Sequence, residues 1–139
     1  MGRKEDIIRY AKDLKITYRT NDPFALAERF GISVISKDSI HQFTAHTIRS
    51  ANLPILIAIN SIYSGNARTV LCAHELGHAL LHEDYINHFA VTSDNAFTEV
   101  EYEADLFAVA LLFDEKDFNI PIAYMSNYTL RSILEYNLE

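Results

Sequence analysis

The residues best suited to chemistry are His74, Glu75 and His78, which form the pattern His-Glu-x-x-His. On an α-helix, residues four apart project from nearly the same face, about 6 Å apart along the axis. Two imidazoles at that spacing can bind one metal ion, and Glu75 lies beside the first of them. The pattern is a signature of zinc hydrolases, in which the glutamate is the general base. We therefore predict Zn2+ as the cofactor, His74 and His78 as metal ligands and Glu75 as the catalytic base.

A third ligand is needed, because catalytic zinc takes three protein ligands and leaves one position for water. His82 extends the row, but on a continuous helix it stands about 12 Å along the axis from His74. One ion cannot bridge that distance, so we expect His82 to be structural, to face substrate or to contact a ligand. The remaining candidates are Glu99, Glu101 and Glu103.

A second helix is expected to present one of these glutamates. Thr98 and Glu101 match a capping box, which starts a helix. The apolar stripe that follows consists of Val100, Ala104, Phe107, Ala108, Leu111 and Leu112. Glu101 is then occupied at the cap, whereas Glu103 borders the stripe, where a bare carboxylate needs a cation. We rank Glu103 first and Glu99 second. Asp105 points about 200° away from Glu103 and could orient another ligand or hold a salt bridge.

The elements that must position this helix pair can also be predicted. Hydrophobic periodicity and capping residues indicate helices at residues 3–15 and 23–30, a metal helix starting near Asn66 and a short helix at Thr129–Tyr136. Strands are expected at Ile32–Ser36, Gln42–Ile48 and Pro54–Asn60. These elements indicate one α+β domain over residues 1–139, in which a small antiparallel or mixed three-stranded sheet packs on the active-site helix.

Two local features concern the substrate. Gly77 costs about 1 kcal/mol relative to alanine in a helix interior, so we expect another backbone, or the substrate, to approach closely there. The apolar strand Pro54–Asn60 would bind a peptide by strand addition if one of its edges were free, although burial in the core is the expected role. Candidates for stabilising an oxyanion are Tyr85, Tyr102, Tyr124 and His82.

Charge and composition exclude several classes of function. The net charge of −7 is concentrated in the second half of the chain, which argues against binding to a phosphate backbone. No apolar stretch approaches the roughly 18 residues of a membrane span. The N-terminal segment lacks the apolar core of a signal peptide, and the single cysteine, Cys72, cannot form an internal disulfide. We therefore expect a cytoplasmic protein that binds neither nucleic acid nor membrane.

The motifs as a whole resemble the ImmA/IrrE family of metallo-endopeptidases. The resemblance is carried by Ala-His-Glu-Leu-Gly-His-Ala-Leu-Leu-His at 73–82, by Glu-Tyr-Glu-Ala-Asp-Leu-Phe-Ala at 101–108 and by Leu-Leu at 111–112. It implies a zincin-like fold of the minigluzincin type, with zinc on the two histidines and on the glutamate before Ala-Asp, which is Glu103. It also implies cleavage of a helix-turn-helix repressor of a phage or mobile element. A zinc-containing regulator that binds a repressor or toxin without cleaving it is the alternative.

Overall fold

The structure, a computed structural model, describes residues 2–38, 44–82 and 94–136, without the side chains of residues 94–98. Its helices are α1 (Arg3–Tyr18), α2 (Pro23–Arg29), α3 (Gly65–Leu81), α4 (Asp94–Leu112) and α5 (Asn127–Tyr136). Its strands are β1 (Ser33–Lys37), β2 (Ala45–Ile48) and β3 (Leu56–Asn60), and short 3-10 helices lie at Glu115–Asp117 and Ile122–Tyr124. The predicted α+β class is confirmed.

The three strands form a mixed sheet in the order β1-β3-β2. β1 runs parallel to β3, with Val34 opposite Ile57, and β2 runs antiparallel to β3, with Thr47 opposite Ile57. Because β3 is paired on both sides, a peptide cannot add to it, and strand addition at β3 is ruled out. The expected burial of β3 is confirmed, since Ile57–Asn60 are buried. β1 and β2 are the two edge strands of this sheet, and β2 is the edge strand that packs against α3.

Helices α3 and α4 pack against each other at Gly77. A Cβ atom on Gly77 would lie 3.2 Å from Phe107 Cδ1 and 3.3 Å from the Cα atom and the carbonyl oxygen of Ala104. These distances are shorter than ordinary van der Waals contacts, so glycine at this position lets the backbone of α4 approach α3 closely. The prediction of a close backbone approach beside the metal motif is confirmed.

The predicted start of α4 at Thr98 is wrong, because the helix begins at Asp94. Thr98 therefore lies inside the helix, where its backbone N–H can bond to a carbonyl one turn earlier. The Thr-x-x-Glu spacing occurs inside helices as well as at their starts, so by itself it does not locate a start. Glu101 is consequently not held in a terminal cap. Likewise, α3 begins at Gly65, after Ser64, and Asn66 is its second residue rather than its cap.

The remaining helices build the core around α4. α1 packs against α4 through its buried side chains, Ile7, Ile8, Ala11 and Leu14. α2 is capped by Asp22, whose side chain accepts a hydrogen bond from the backbone N–H of Phe24. α5 contributes Leu130 and Leu134 to the same core. Within the described ranges, no helix is both long and apolar enough to cross a membrane.

Candidate metal centre

Three side chains from α3 and α4 converge on one point: His74, His78 and Glu101. The Nε2 atoms of the two histidines are 3.2 Å apart. Glu101 Oε1 lies 3.1 Å from His74 Nε2, and Glu101 Oε2 lies 2.7 Å from His78 Nε2. Ligands about 2.0–2.1 Å from a tetrahedral zinc ion are about 3.3 Å apart. Two facing imidazole nitrogens and a carboxylate are a donor set that fits such an ion.

The structure brings Glu101, and not the predicted Glu103, to the two histidines. Among the described residues, the group able to hold a metal ion is His74, His78 and Glu101. The reason is the rotation of α4: Glu101 and Asp105 are four residues apart, so they share one face, and that face is turned towards α3. Glu103 is rotated by about 200° relative to Glu101. It contacts Arg3 and His82 instead.

Asp105 orients the first histidine. Its Oδ1 atom lies 2.8 Å from His74 Nδ1, which places the imidazole proton on Nδ1 and leaves the lone pair of Nε2 for a metal. Burial would lower the pKa of His74, but its hydrogen bonds to Asp105 and Glu101 outweigh burial and raise that pKa to about 10. Without a metal, Nε2 therefore also carries a proton at neutral pH, and a bound metal ion would displace that proton. Asp105 also forms a salt bridge with Arg131, so it contacts both a candidate ligand and a cation.

Arg131 joins α5 to the same two carboxylates. Its Nη2 atom lies 3.1 Å from Glu101 Oε1, and its Nε atom lies 3.2 Å from Asp105 Oδ2. Burial would raise the pKa of Glu101, but hydrogen bonds from His74 and His78 lower it well below its usual range. Glu101 is therefore ionised at neutral pH, as a metal ligand must be.

His82, which the sequence predicts to be structural, to face substrate or to contact a ligand, lies against the second histidine. His82 Nδ1 lies 3.0 Å from His78 Nδ1, and His82 Nε2 lies 2.9 Å from Glu103 Oε1. Burial lowers the pKa of His82. Burial would raise the pKa of Glu103, but Arg3 and His82 together lower it. At neutral pH the neutral imidazole therefore meets an ionised carboxylate.

Glu75, the predicted base, is buried and is held by the edge strand. The hydroxyl of Thr47 on β2 lies 2.9 Å from Glu75 Oε1 and 3.0 Å from the Glu75 carbonyl oxygen. Arg49, the residue after β2, donates to the carbonyl oxygens of His78 and Ala79 in the last turns of α3. β2 and the residue that follows it thus contact both Glu75 and the C-terminal end of α3.

The tyrosines proposed for an oxyanion have different outcomes. Tyr85 lies outside the described residues. The hydroxyl of Tyr102 donates to the Met125 carbonyl oxygen at 3.5 Å, and Tyr124 is 78% exposed. Both line an open cavity of about 610 Å³, together with Glu99, the second candidate for the third ligand. Within the part of the chain that the structure describes, the group able to hold a metal does not include Tyr102, Tyr124 or Glu99.

Three functional contacts were missed from the sequence: those of Thr47, Arg131 and Arg3. Each joins residues between 26 and 100 positions apart, and no local pattern indicates such a pairing. The pairing of Asp105 with His74 had a usable signal, because Asp105 follows Glu101 by one helical turn.

Two histidines one turn apart, a carboxylate from a facing helix and a glutamate next to the first histidine define a metallopeptidase type of site. The chain belongs to the Peptidase_M78 family, described as the IrrE N-terminal-like domain, whose model matches residues 27–136. The predicted family is therefore confirmed.

One curated relative supports this membership. It is the uncharacterized immunity region protein 2 of Bacillus phage phi105, which is 35% identical over 103 residues. The match covers 70% of this chain and 62% of the relative, so the chain matches less than two thirds of the relative's length. No solved structure gives a significant match.

Proposed function

We propose that this protein is a zinc-dependent endopeptidase that hydrolyses a peptide bond in a protein substrate. The observation that carries the proposal is the convergence of His74, His78 and Glu101 next to Glu75. Three protein ligands leave one coordination position for water or substrate, which is the arrangement of catalytic zinc rather than of a closed structural site. When bound, zinc supplies Lewis acidity that activates water and polarises the scissile carbonyl group.

The residues of this chain would bind the metal, orient its ligands and transfer the proton. His74 and His78 hold the metal through Nε2, and Asp105 fixes the ring of His74. Glu75 accepts the proton of the attacking water and passes it to the leaving amine. Thr47 would keep the Glu75 carboxylate in place by its hydrogen bond.

The substrate is proposed to bind along β2. One side of β2 pairs with β3, and no described strand pairs with its other side. A peptide in extended conformation could therefore add to that edge by backbone hydrogen bonds. Because Thr47 on the same strand touches Glu75, a peptide bound there would run past the base.

The substrate proposed is a helix-turn-helix repressor of a phage or mobile element. The support is the family and the name of the relative, an immunity region protein of a phage. The alternative is a zinc-containing regulator that binds the repressor without cutting it, which the same cluster also permits.

Replacing the base separates these two functions. A helix-turn-helix repressor from the same phage or mobile element should be co-expressed with the wild type or with Glu75→Gln, and its fragments identified by mass spectrometry. We expect discrete fragments with the wild type and intact repressor with Glu75→Gln, because the amide cannot accept a proton. Zinc content and repressor binding should be equal in both. A stable complex with intact repressor in the wild type would favour the regulator, and equal cleavage in both would refute the role of Glu75.

A further inference from the structure

A chain of polar contacts runs from the second histidine ligand to the N-terminal helix. His78 Nδ1 lies 3.0 Å from His82 Nδ1, and His82 Nε2 lies 2.9 Å from Glu103 Oε1. Glu103 in turn accepts two hydrogen bonds from Arg3, from Nε at 3.0 Å and from Nη2 at 3.2 Å. The four residues come from α3, its C-terminal end, α4 and α1, so the chain of contacts joins three helices.

The direction of the hydrogen bonds in this chain follows from its two ends. His78 must present the lone pair of Nε2 to a metal ion, so its proton is on Nδ1 and is donated to His82 Nδ1. The proton of His82 is then on Nε2 and is donated to Glu103. The carboxylate only accepts, and the Arg3 guanidinium only donates. Each donor therefore meets an acceptor, and reversing any one link would break the next.

We propose that His82 and Glu103 are positioning residues that hold His78 in the tautomer and ring orientation required for metal binding, and that Arg3 anchors them to α1. This inference rests on the proposed zinc site. It gives Glu103 a role different from that of a ligand. The arrangement parallels the contact of Asp105 with His74 on the other side of the site, so each histidine ligand has its own partner at Nδ1.

The contacts among His78, His82 and Glu103 are buried, which indicates that they contribute to the stability of the site. The side chains of His78, His82 and Glu103 are 1%, 6% and 11% exposed. A polar group so shielded from water costs free energy unless it is hydrogen-bonded. Arg3 is 58% exposed, so its contribution should be smaller, as for surface ion pairs in general.

The test is the affinity for zinc alone, measured by competition with a chromophoric chelator. Partners of metal-bound histidines typically contribute 10–100-fold to metal affinity. Glu103→Ala and His82→Ala should therefore each bind one zinc per chain about 10–100-fold more weakly than the wild type. Glu103→Gln keeps an acceptor oxygen and should lose less. Glu99→Ala is the matched control, because it removes an exposed carboxylate from the same helix, and it should retain wild-type affinity.

Two further variants examine the order of the links. In His82→Asn the side-chain oxygen takes the place of Nδ1, so the contact with His78 is kept while the contact with Glu103 is lost. Its affinity should fall between those of the wild type and His82→Ala. Residues acting in series are not additive, so the double variant His82→Ala/Glu103→Ala should bind zinc no more weakly than His82→Ala. Arg3→Ala should weaken binding only a few-fold, and Lys4→Ala is its control.

Absorption of the Co2+-substituted protein distinguishes positioning from ligation. Removing a positioning residue leaves the set of ligand atoms unchanged, so the cobalt spectrum of Glu103→Ala should keep the wild-type shape, whereas that of Glu101→Ala should change. A changed spectrum or loss of the metal in Glu103→Ala would make Glu103 a ligand and overturn the proposal. Circular dichroism of the metal-free variants checks that they fold.

Different results would refute the zinc site and the positioning role of His82 and Glu103. If the wild type does not bind one equivalent of zinc, the metal site itself is refuted. If the wild type binds zinc and Glu103→Ala, Glu103→Gln and His82→Asn all bind it with wild-type affinity, only the positioning role is refuted. Additive losses in the double variant would likewise overturn the serial chain of contacts.

Discussion

At the scale of single residues, the carboxylates of α4 have separate tasks. Glu101 faces both histidines, Asp105 holds the ring of His74, and Glu103 contacts His82 and Arg3. Residues two apart on a helix differ in direction by about 200°. Glu101 and Glu103 therefore cannot serve the same ion, although both lie in the same short acidic segment. The third ligand in the proposed site is Glu101.

The proposed base, Glu75, is contacted by the hydroxyl of Thr47. In Thr47→Val the side chain keeps its shape but loses the hydroxyl that contacts Glu75 Oε1. We expect kcat for repressor cleavage to fall by about tenfold, because a general base that is not held in place transfers protons less efficiently. The measurement is steady-state cleavage together with zinc analysis. Zinc content should not change, because Thr47 does not contact the ligand atoms.

Thr47→Ser is the matched control for this change, since it restores a hydroxyl at the same position. It should recover most of the lost activity. Equal cleavage by the valine and serine variants would show that the hydrogen bond has no part in catalysis.

At the scale of elements, the site exists only where α3 and α4 touch. α3 carries both histidines and Glu75, and α4 carries Glu101 and Asp105. The two helices approach most closely at Gly77, three residues after His74 and one residue before His78. The distance between the helices at this glycine therefore sets the distance between the ligands.

Gly77→Ala should weaken zinc binding and lower the free energy of unfolding of the metal-free protein by up to about 2 kcal/mol. The new methyl group would meet the Ala104 backbone at 3.3 Å, and backbone yields less easily than a flexible side chain. The resulting crowding costs about 1–3 kcal/mol, partly offset by about 1 kcal/mol of helix propensity. α4 must then move by a few tenths of an ångström, which separates Glu101 from the histidines. Chelator competition and urea unfolding of the metal-free protein measure the two effects.

A contradictory outcome for Gly77→Ala is easily recognised. If zinc affinity is unchanged while the free energy of unfolding rises by the full helix-propensity gain, α4 is not in close contact at this position. The packing of the two helices would then not control the ligand distances.

At the scale of the whole molecule, the first and last described helices both reach α4. Arg3 on α1 contacts Glu103, and Arg131 on α5 contacts Glu101 and Asp105. α1 also contacts the segment after α4, where Lys12 lies 2.7 Å from Glu115 Oε1 and Glu115 Oε2 accepts from the Ile122 N–H at 2.6 Å. Elements distant in sequence thus hold the acidic helix in its orientation.

The Glu115 contacts predict a pH dependence of stability. Lys12 and the backbone N–H of Ile122 lower the pKa of Glu115 below its ordinary value of 4.5. A group whose pKa is lowered on folding stabilises the folded state above the unfolded pKa and loses this effect as the pH falls through the folded pKa. Glu115→Gln should therefore be less stable than the wild type at pH 7, by no more than about 1 kcal/mol for so exposed a pair.

Urea unfolding between pH 7 and pH 3 measures this difference. It should shrink as the pH falls below 4.5 and approach zero once Glu115 is protonated in the folded wild type. Lys12→Met removes the other half of the pair and should show the same trend more weakly, because the Ile122 contact remains. A difference that is constant over the whole range would mean that the charge of Glu115 is irrelevant to stability.

The sequence by itself determined the features that depend on local spacing. His74 and His78 are four residues apart and therefore share a helix face, and Glu75 is adjacent by covalent connection. The α+β class, the position of β3 and the close approach at Gly77 were also predictable, because hydrophobic periodicity and glycine placement are local signals. The family followed from the same motifs.

Only the tertiary structure decided what depends on the orientation of one element relative to another. The rotation of α4 places Glu101, rather than Glu103, beside the two histidines. Because the helix starts at Asp94, Glu101 is not part of an N-terminal cap. The contacts of Thr47, Arg3 and Arg131 join residues far apart in the chain, and a sequence pattern contains no information about such distances. The histidine pair is predictable from its spacing in the sequence. The residues that contact the site from other elements depend on how α3, α4 and the sheet pack together.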